Sequence, residues 1–211
     1  MVGEALRPVC RIFAPVLTIT VKSESPWNSV KDIVEYARKN PGLKIATHGK
    51  GTLSHLVLRT IAKKENVVLT DVPYAGGSPM IPAVLGDHVP VVTPAMTDMS
   101  SLLEAKQLKV LAVLTDRRAP FAPELPSIVE LGYKLAFVSY VGLFGPKGMP
   151  DEAVEKVNGA VQKIAADPAF QKKINTMATI ISYEGPRDFQ KAMDQYAEGL
   201  KSFFKEEGLV K

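Results

Sequence analysis

The chain has 211 residues, 46% of them hydrophobic and 23% charged, with a formal net charge of +4. That is ample apolar sequence to bury a core, and the short Lys63-Lys64 and Arg117-Arg118 pairs lack the interleaved aromatics of a nucleic-acid-binding stripe. A single cysteine, Cys10, excludes an intrachain disulfide and a thiolate metal cluster, and no apolar run nears the ~20 residues of a membrane-crossing helix.

The opening Met1-Val2-Gly3-Glu4-Ala5-Leu6-Arg7 lacks a charged start followed by an apolar run, so no signal peptide is expected in this chain. The β-branched run 16–21 predicts a strand. Ser25-Pro26-Trp27-Asn28-Ser29 then opens a helix with Val30, Ile33, Val34 and Ala37 on one side, ended by Asn40-Pro41-Gly42. A strand at 43–47 runs into a glycine turn, and a helix over 52–64 turns Leu56, Leu58, Ile61 and Ala62 inward. A strand at 67–72 leads to a second glycine turn and a short helix over 78–85, whose Pro79 and Pro82 are tolerable near a helix start. Gly86-Asp87 stops it.

A strand at 88–92 and a helix over 97–104 follow. The near-continuous apolar run 108–115 suits a strand covered on both faces. The proline-rich 117–126 reads as loop, and 127–132 as a short helix capped by Gly132. Residues 137–145 read as extended. Beyond them come an amphipathic helix from Met149 with Val154, Val157, Val161 and Ile164 on one side, a second from Asp167-Pro168 through Ile174, a strand at 179–183 and a last helix over 186–207. Alternating strands and helices predict an α/β fold with a mainly parallel sheet. A composition shift at 135–140 marks a boundary, beyond which two strands are too few for an independent sheet.

The two glycine turns carry the functional signal. The first reads Thr47-His48-Gly49-Lys50-Gly51-Thr52-Leu53-Ser54, the second Tyr74-Ala75-Gly76-Gly77-Ser78. Each leaves a strand and opens a helix, where unpaired N–H groups and the positive dipole end favour an anion. Thr52 stands at the N-cap position, its hydroxyl within reach of the Ser54 or His55 amide. The functional reading is carboxylate binding by Gly51, Thr52 and Ser54, with the Tyr74 phenol beside the second turn's glycines. An ordinary helix cap or βα turn gives the same pattern, and the first turn is neither a phosphate-binding P-loop nor a full dinucleotide fingerprint.

Catalytic and metal arrangements do not stand out. Ser54 and His55 are adjacent on a helix and point about 100° apart, so they form no nucleophile–base pair. His48 and His55 fit no zinc-protease spacing, and Asp98 and Glu104 no paired-carboxylate spacing. His88 reads as a surface residue, and Tyr133 and Tyr140 as packing. No acidic ligand is placed for nucleotide-bound magnesium. The reading is therefore a non-enzymatic protein without cofactor or metal.

The blocks 46–56 and 72–78, in order with Ser25-Pro26-Trp27, Leu85-Gly86-Asp87-His88-Val89, Leu108 to Val113, Leu125-Pro126-Ser127, Gly132-Tyr133 and Gly142 to Pro150, resemble the solute receptors of tripartite tricarboxylate transporters, the Bug-type receptors. The resemblance implies a two-lobed fold of the type II periplasmic-binding-protein kind that closes over a small organic acid and delivers it to membrane transporter subunits in the periplasm. It implies ligand contacts from Gly51, Thr52 and Ser54 and from Gly76, Gly77 and Ser78; Thr47 and His48 at the ligand-facing end of their strand and Tyr74 beside the second turn complete the expected site. By the resemblance, this chain is expected to lack the N-terminal part of lobe one, with its signal and a glycine-rich carboxylate loop. On this basis 15–135 is expected to form a complete lobe two and 136–211 the C-terminal part of lobe one, with 1–14 a residual crossover segment. Apolar surface left open by a partial lobe predicts a homo-oligomer. The alternative is a truncated, ligand-incompetent remnant that folds by oligomerising.

Overall fold

Local signals place the first helix. Ser29 accepts a hydrogen bond from the Asp32 amide (3.2 Å), and the Asp32 carboxylate accepts one from the Asn28 amide (2.7 Å), fixing the start of α1 (Val30–Lys39). Its Val30, Ile33, Val34 and Ala37 are all buried, as the spacing predicts. The computed structural model describes residues 6–135 and 139–206. Met1 to Ala5, the middle of the expected boundary at 136–138 and the expected last helical residue Glu207 lie outside the described residues.

The chain divides into two units: a central one, Val16–Val138, and a terminal one formed by Met1–Pro15 with Ser139–Lys211. The central unit holds a five-stranded sheet of β2 (Thr18–Lys22), β3 (Leu43–Thr47), β4 (Leu69–Pro73), β5 (Val91–Val92) and β6 (Leu108–Val113), in the order β4-β3-β5-β2-β6. β3 pairs parallel with β4 and β5, whereas β2 pairs antiparallel with β5 and β6. Every strand but β2 therefore runs the same way, which gives the mainly parallel α/β sheet. α1 and α2 (Leu53–Glu65) bury Val30, Ile33, Val57 and Ile61 against Ile19, Val21 and Ile45. α3 (Met80–Leu85) packs against β5 and β2, with Met80 and Val84 fully buried. A 3₁₀ turn (Met96–Met99) and α4 (Ser100–Glu104) lead into β6.

Two expected elements differ. The strand read at 88–92 is only Val91–Val92, because the His88 and Val89 amides bond back to Ala83 O (2.9 and 3.3 Å) and Pro90 has no amide to give. The helix read at 127–132 is a series of turns. Its start signals are real: the Ser127 amide donates to Glu130 Oε2 and the Glu130 amide to Ser127 Oγ, each at 3.1 Å, and Gly132 has φ +83°. Pairing with the end of β6 overrides them, since the Ile128 amide donates to Val113 O (2.9 Å) and the Val113 amide to Pro126 O (3.0 Å).

In the terminal unit, β1 (Leu6–Pro15) lies between β7 (Val141–Pro146) and β8 (Thr179–Glu184) in an antiparallel sheet. α5 (Asp151–Ala166), α6 (Pro168–Thr176) and α7 (Pro186–Glu206) accompany it. The described residues after the boundary hold two strands, as expected, and the strand that joins them into a sheet, β1, comes from the start of the chain. β1 escapes a sequence reading because prolines at 8 and 15 and two register shifts, Pro8/Cys10 and Arg11/Phe13, break its alternation. Gly142 is required in β7, because a side-chain carbon there would lie 2.6 Å from Phe189 Cζ and 2.7 Å from Cys10 O. Tyr140 packs edge-on against Phe189 at 5.3 Å between ring centres.

Candidate functional site

The parallel strands β4, β3 and β5 end at one edge of the central sheet, where ligands sit in open α/β sheets. Thr47 stands in register with Pro73, and the Tyr74 amide donates to Thr47 O at 2.8 Å. The two glycine turns therefore leave neighbouring strands side by side. A third segment, from Thr93 to Asp98, follows β5, and Thr93 Oγ1 donates to Ala46 O at 2.8 Å.

The first turn is held by its own side chains. Thr47 is completely buried, and its hydroxyl donates to Asp71 Oδ1 while accepting from the Gly49 amide at 3.1 Å. The His48 amide donates to Ser54 Oγ at 3.1 Å, and Ser54 itself is only 1% exposed. Thr52 stands at the N-cap of α2 in extended conformation, but its hydroxyl does not cap the helix. It donates instead to Gly49 O at 2.6 Å, closing the turn backwards, which corrects the expected bond to the Ser54 or His55 amide. The Gly51 amide donates to His55 Nδ1 at 3.3 Å. Positive φ at Gly49 (+97°) and Gly51 (+82°) makes this path open to glycine.

These bonds divide the expected site residues by role. Thr47 and Ser54 lie inside and set the shape of the loop. His48, Gly51 and Thr52 are half-buried at its surface, and Lys50 is exposed. The first-turn amides of α2, at Leu53 and Ser54, have no partner within the helix, and that first turn carries no acidic residue to compete for them.

In the second turn Tyr74 and Gly76 are half-buried and Ser78 is exposed. Gly76 has φ +112°, and its amide donates to Tyr74 O at 2.9 Å. The helix expected from residue 78 begins at Met80, with no side-chain cap. Gly77 is buried beneath the carboxylate of Asp98.

Asp98 is the group that sequence reasoning did not place at this edge. Its Oδ2 accepts from the Ala95 amide at 3.1 Å, the return bond of a turn whose Asp98 amide donates to Ala95 O at 2.9 Å. An acid three residues into a turn is the one signal that points to such a bond. The placement beside Gly77 comes from the packing of β5 next to β3.

Burial pushes the His48 imidazole below its ordinary pKa, and the nearby Asp98 charge opposes that shift. His48 Nδ1 lies 3.3 Å from Ser54 Oγ, a Ser–His approach not weighed from sequence. Ser54 Oγ lies 3.3 Å from Thr52 Oγ1 as well, so its environment is a hydroxyl network inside the turn. Among the described residues there is no group of three or more His, Cys, Asp or Glu side chains that could hold a metal ion. No helix among them is long and apolar enough to cross a membrane.

The family model described as tripartite tricarboxylate transporter family receptor matches residues 3–209. A UPF0065 protein in the tcbD-tcbE intergenic region of Pseudomonas sp. (strain P51) is 32% identical over 168 residues, 75% of this chain and 50% of that protein. A UPF0065 protein in the gbd 5′ region of Cupriavidus necator is 28% identical over 196 residues, 92% of this chain and 59% of that one. The chain thus spans about half the length of the curated relatives it matches. Among solved structures, R. palustris Rpa4515 with adipate superposes at a TM-score of 0.88 with 26% identity, over 97% of this chain and 69% of that one. The periplasmic binding protein BugD superposes at 0.79 with 27% identity, over 96% of this chain and 69% of its own.

Proposed function

Since this chain belongs to the tripartite tricarboxylate transporter receptor family, we propose that it captures a small di- or tricarboxylate without covalent chemistry and delivers it to the membrane subunits of such a transporter in the periplasm. The observation that carries this reading is the placement of two glycine-bearing helix starts on adjacent parallel strands, with the Thr47–Pro73 pair in register between them. Backbone amides at a helix start suit a carboxylate because charge-assisted bonds are strong and several donors share the cost of desolvation.

In this reading His48, Gly51 and Thr52 meet the ligand at the first turn, and Tyr74, Gly76 and Ser78 at the second, while Gly77, expected from sequence to touch the ligand, lies beneath the Asp98 carboxylate. Thr47 and Ser54 act by holding the turn. The adipate of the R. palustris neighbour supports an acid of this class. No residue is assigned to bond-making chemistry: Ser54, which has an imidazole nitrogen at 3.3 Å, is 1% exposed and so shielded from a substrate. Titration calorimetry with citrate, succinate, malate and adipate tests the proposal. Saturable binding of one of them in the ~micromolar range is the expected result. Silence across the panel overturns it and favours the ligand-incompetent reading.

A further inference from the structure

We propose that Asp98 is a specificity-determining residue that, within the class of small organic acids, ranks those bearing an ammonium group above those whose charges are all negative. The proposal rests on the receptor reading and deepens it.

The wall of the site is not uniformly suited to anions. At the first turn stand the Leu53 and Ser54 amides, which the Thr52 side chain does not cap and which have no partner within α2, and the exposed Lys50. At the second turn the Asp98 carboxylate occupies the space above Gly77: a side-chain carbon built on Gly77 would lie 1.8 Å from Asp98 Oδ2 and 2.9 Å from Asp98 Cγ. That carboxylate is held in place, because Oδ2 accepts from the Ala95 amide at 3.1 Å. Among the described residues no donor is bonded to its other oxygen, Oδ1, and the residue is exposed.

The neighbouring His48 imidazole does not neutralise it. His48 is near enough to feel the Asp98 charge, yet its burial outweighs that pull and keeps the imidazole neutral at neutral pH. A fixed negative charge therefore faces one end of a site whose other end attracts carboxylates. A ligand with negative charge throughout meets repulsion at Gly77, whereas a carboxylate-bearing amine meets complementary charge at both ends.

The test compares glutarate, glutamate and 4-aminobutyrate by titration calorimetry on the wild-type chain and on Asp98→Asn at neutral pH and low salt. The substituted side chain keeps an oxygen to accept from the Ala95 amide and has nearly the same volume, so the fold is expected to survive; circular dichroism checks it. The wild-type chain is expected to bind the two amines about 10-fold more tightly than glutarate. Asp98→Asn is expected to remove that preference by strengthening glutarate and weakening the amines. Raising the salt should narrow the wild-type preference and leave the variant's ratio unchanged. If acids bind but the ratio is the same in both chains, this inference falls and the receptor reading stands. If none of the three acids, nor citrate, succinate, malate or adipate, binds either chain, both fall together.

Discussion

Asp98 Oδ2 sits in the position that a side chain on Gly77 would need, 1.8 Å from where its first carbon would be. Glycine at 77 and the bent segment after β5 are thus two halves of one fit. Gly77→Ala is expected to push the Asp98 carboxylate off the Ala95 amide and cost about 1–2 kcal/mol of stability. Asp98→Ser in the same chain should recover most of that loss, because the obstructing oxygen is then gone. Urea unfolding of the two single variants and the double variant measures the coupling. Additive losses would show that the two residues do not share the space.

Thr47 is a structural member of the first glycine turn. Its hydroxyl joins Asp71 to the Gly49 amide while the residue is completely buried. Thr47→Val keeps the volume and removes both bonds, so a loss of about 1–3 kcal/mol is expected. Serine at the same position should restore part of it, as read from thermal unfolding.

His48 links stability to mild acid. Its pKa in the folded chain is lowered, chiefly by burial, from an ordinary value of 6.5. The unfolded chain then takes up the proton first. Stability from this group is complete above pH 6.5 and is lost as pH falls toward the lowered value. His48→Gln should flatten the stability profile on the acid side of that point. An unchanged slope in chemical denaturation would place the proton uptake elsewhere.

Tyr133 links stability to alkaline pH in the opposite sense. Burial, with the hydrogen bond that its hydroxyl donates to Glu65 Oε1 at 3.0 Å, pushes it from 10 up to about 12. The folded chain holds the proton more tightly, so this contribution is complete below pH 10 and is lost as pH rises toward 12. Burial raises Tyr140, Tyr183 and Tyr196 as well, so the check is by difference: Tyr133→Phe should remove the step near pH 12 from the absorbance titration. The same variant should lose about 1 kcal/mol at neutral pH, since Glu65 keeps its bond from Arg38 (2.7 Å) but loses the tyrosine.

Self-association is expected through the terminal unit. β7 lies at one edge of its sheet, and Val141 and Leu143 on the same side of that strand are each 39% exposed. Apolar side chains on an edge strand favour pairing with a second copy. Light scattering after size exclusion should report more than one chain per particle, and Leu143→Lys should shift the mass toward the monomer. A monomeric wild-type chain would rule out this expectation.

Much of the central unit was readable from residue order because its signals are local. The stripe of Val30, Ile33, Val34 and Ala37 needs no partner to announce a helix, and a glycine pattern after a β-branched strand announces a turn. The candidate site was readable only in outline. His48, Gly51 and Thr52 could be named, but the hydroxyl of Thr52 has both Gly49 O and the helix amides within reach. Its choice of Gly49 follows from the shape that Thr47 and Ser54 impose on the turn.

Linear order was thus enough for the α/β class, the glycine turns and the family, because short-range hydrogen bonding and side-chain periodicity are written within a few residues. Packing alone decided that residues 6–15 become the middle strand of a sheet, and that Asp98 covers Gly77. Both depend on partners distant along the chain, β7 and β8 in one case and the β3–β5 pairing in the other. Such contacts exist only after the backbone has closed those long loops, so no local pattern encodes them.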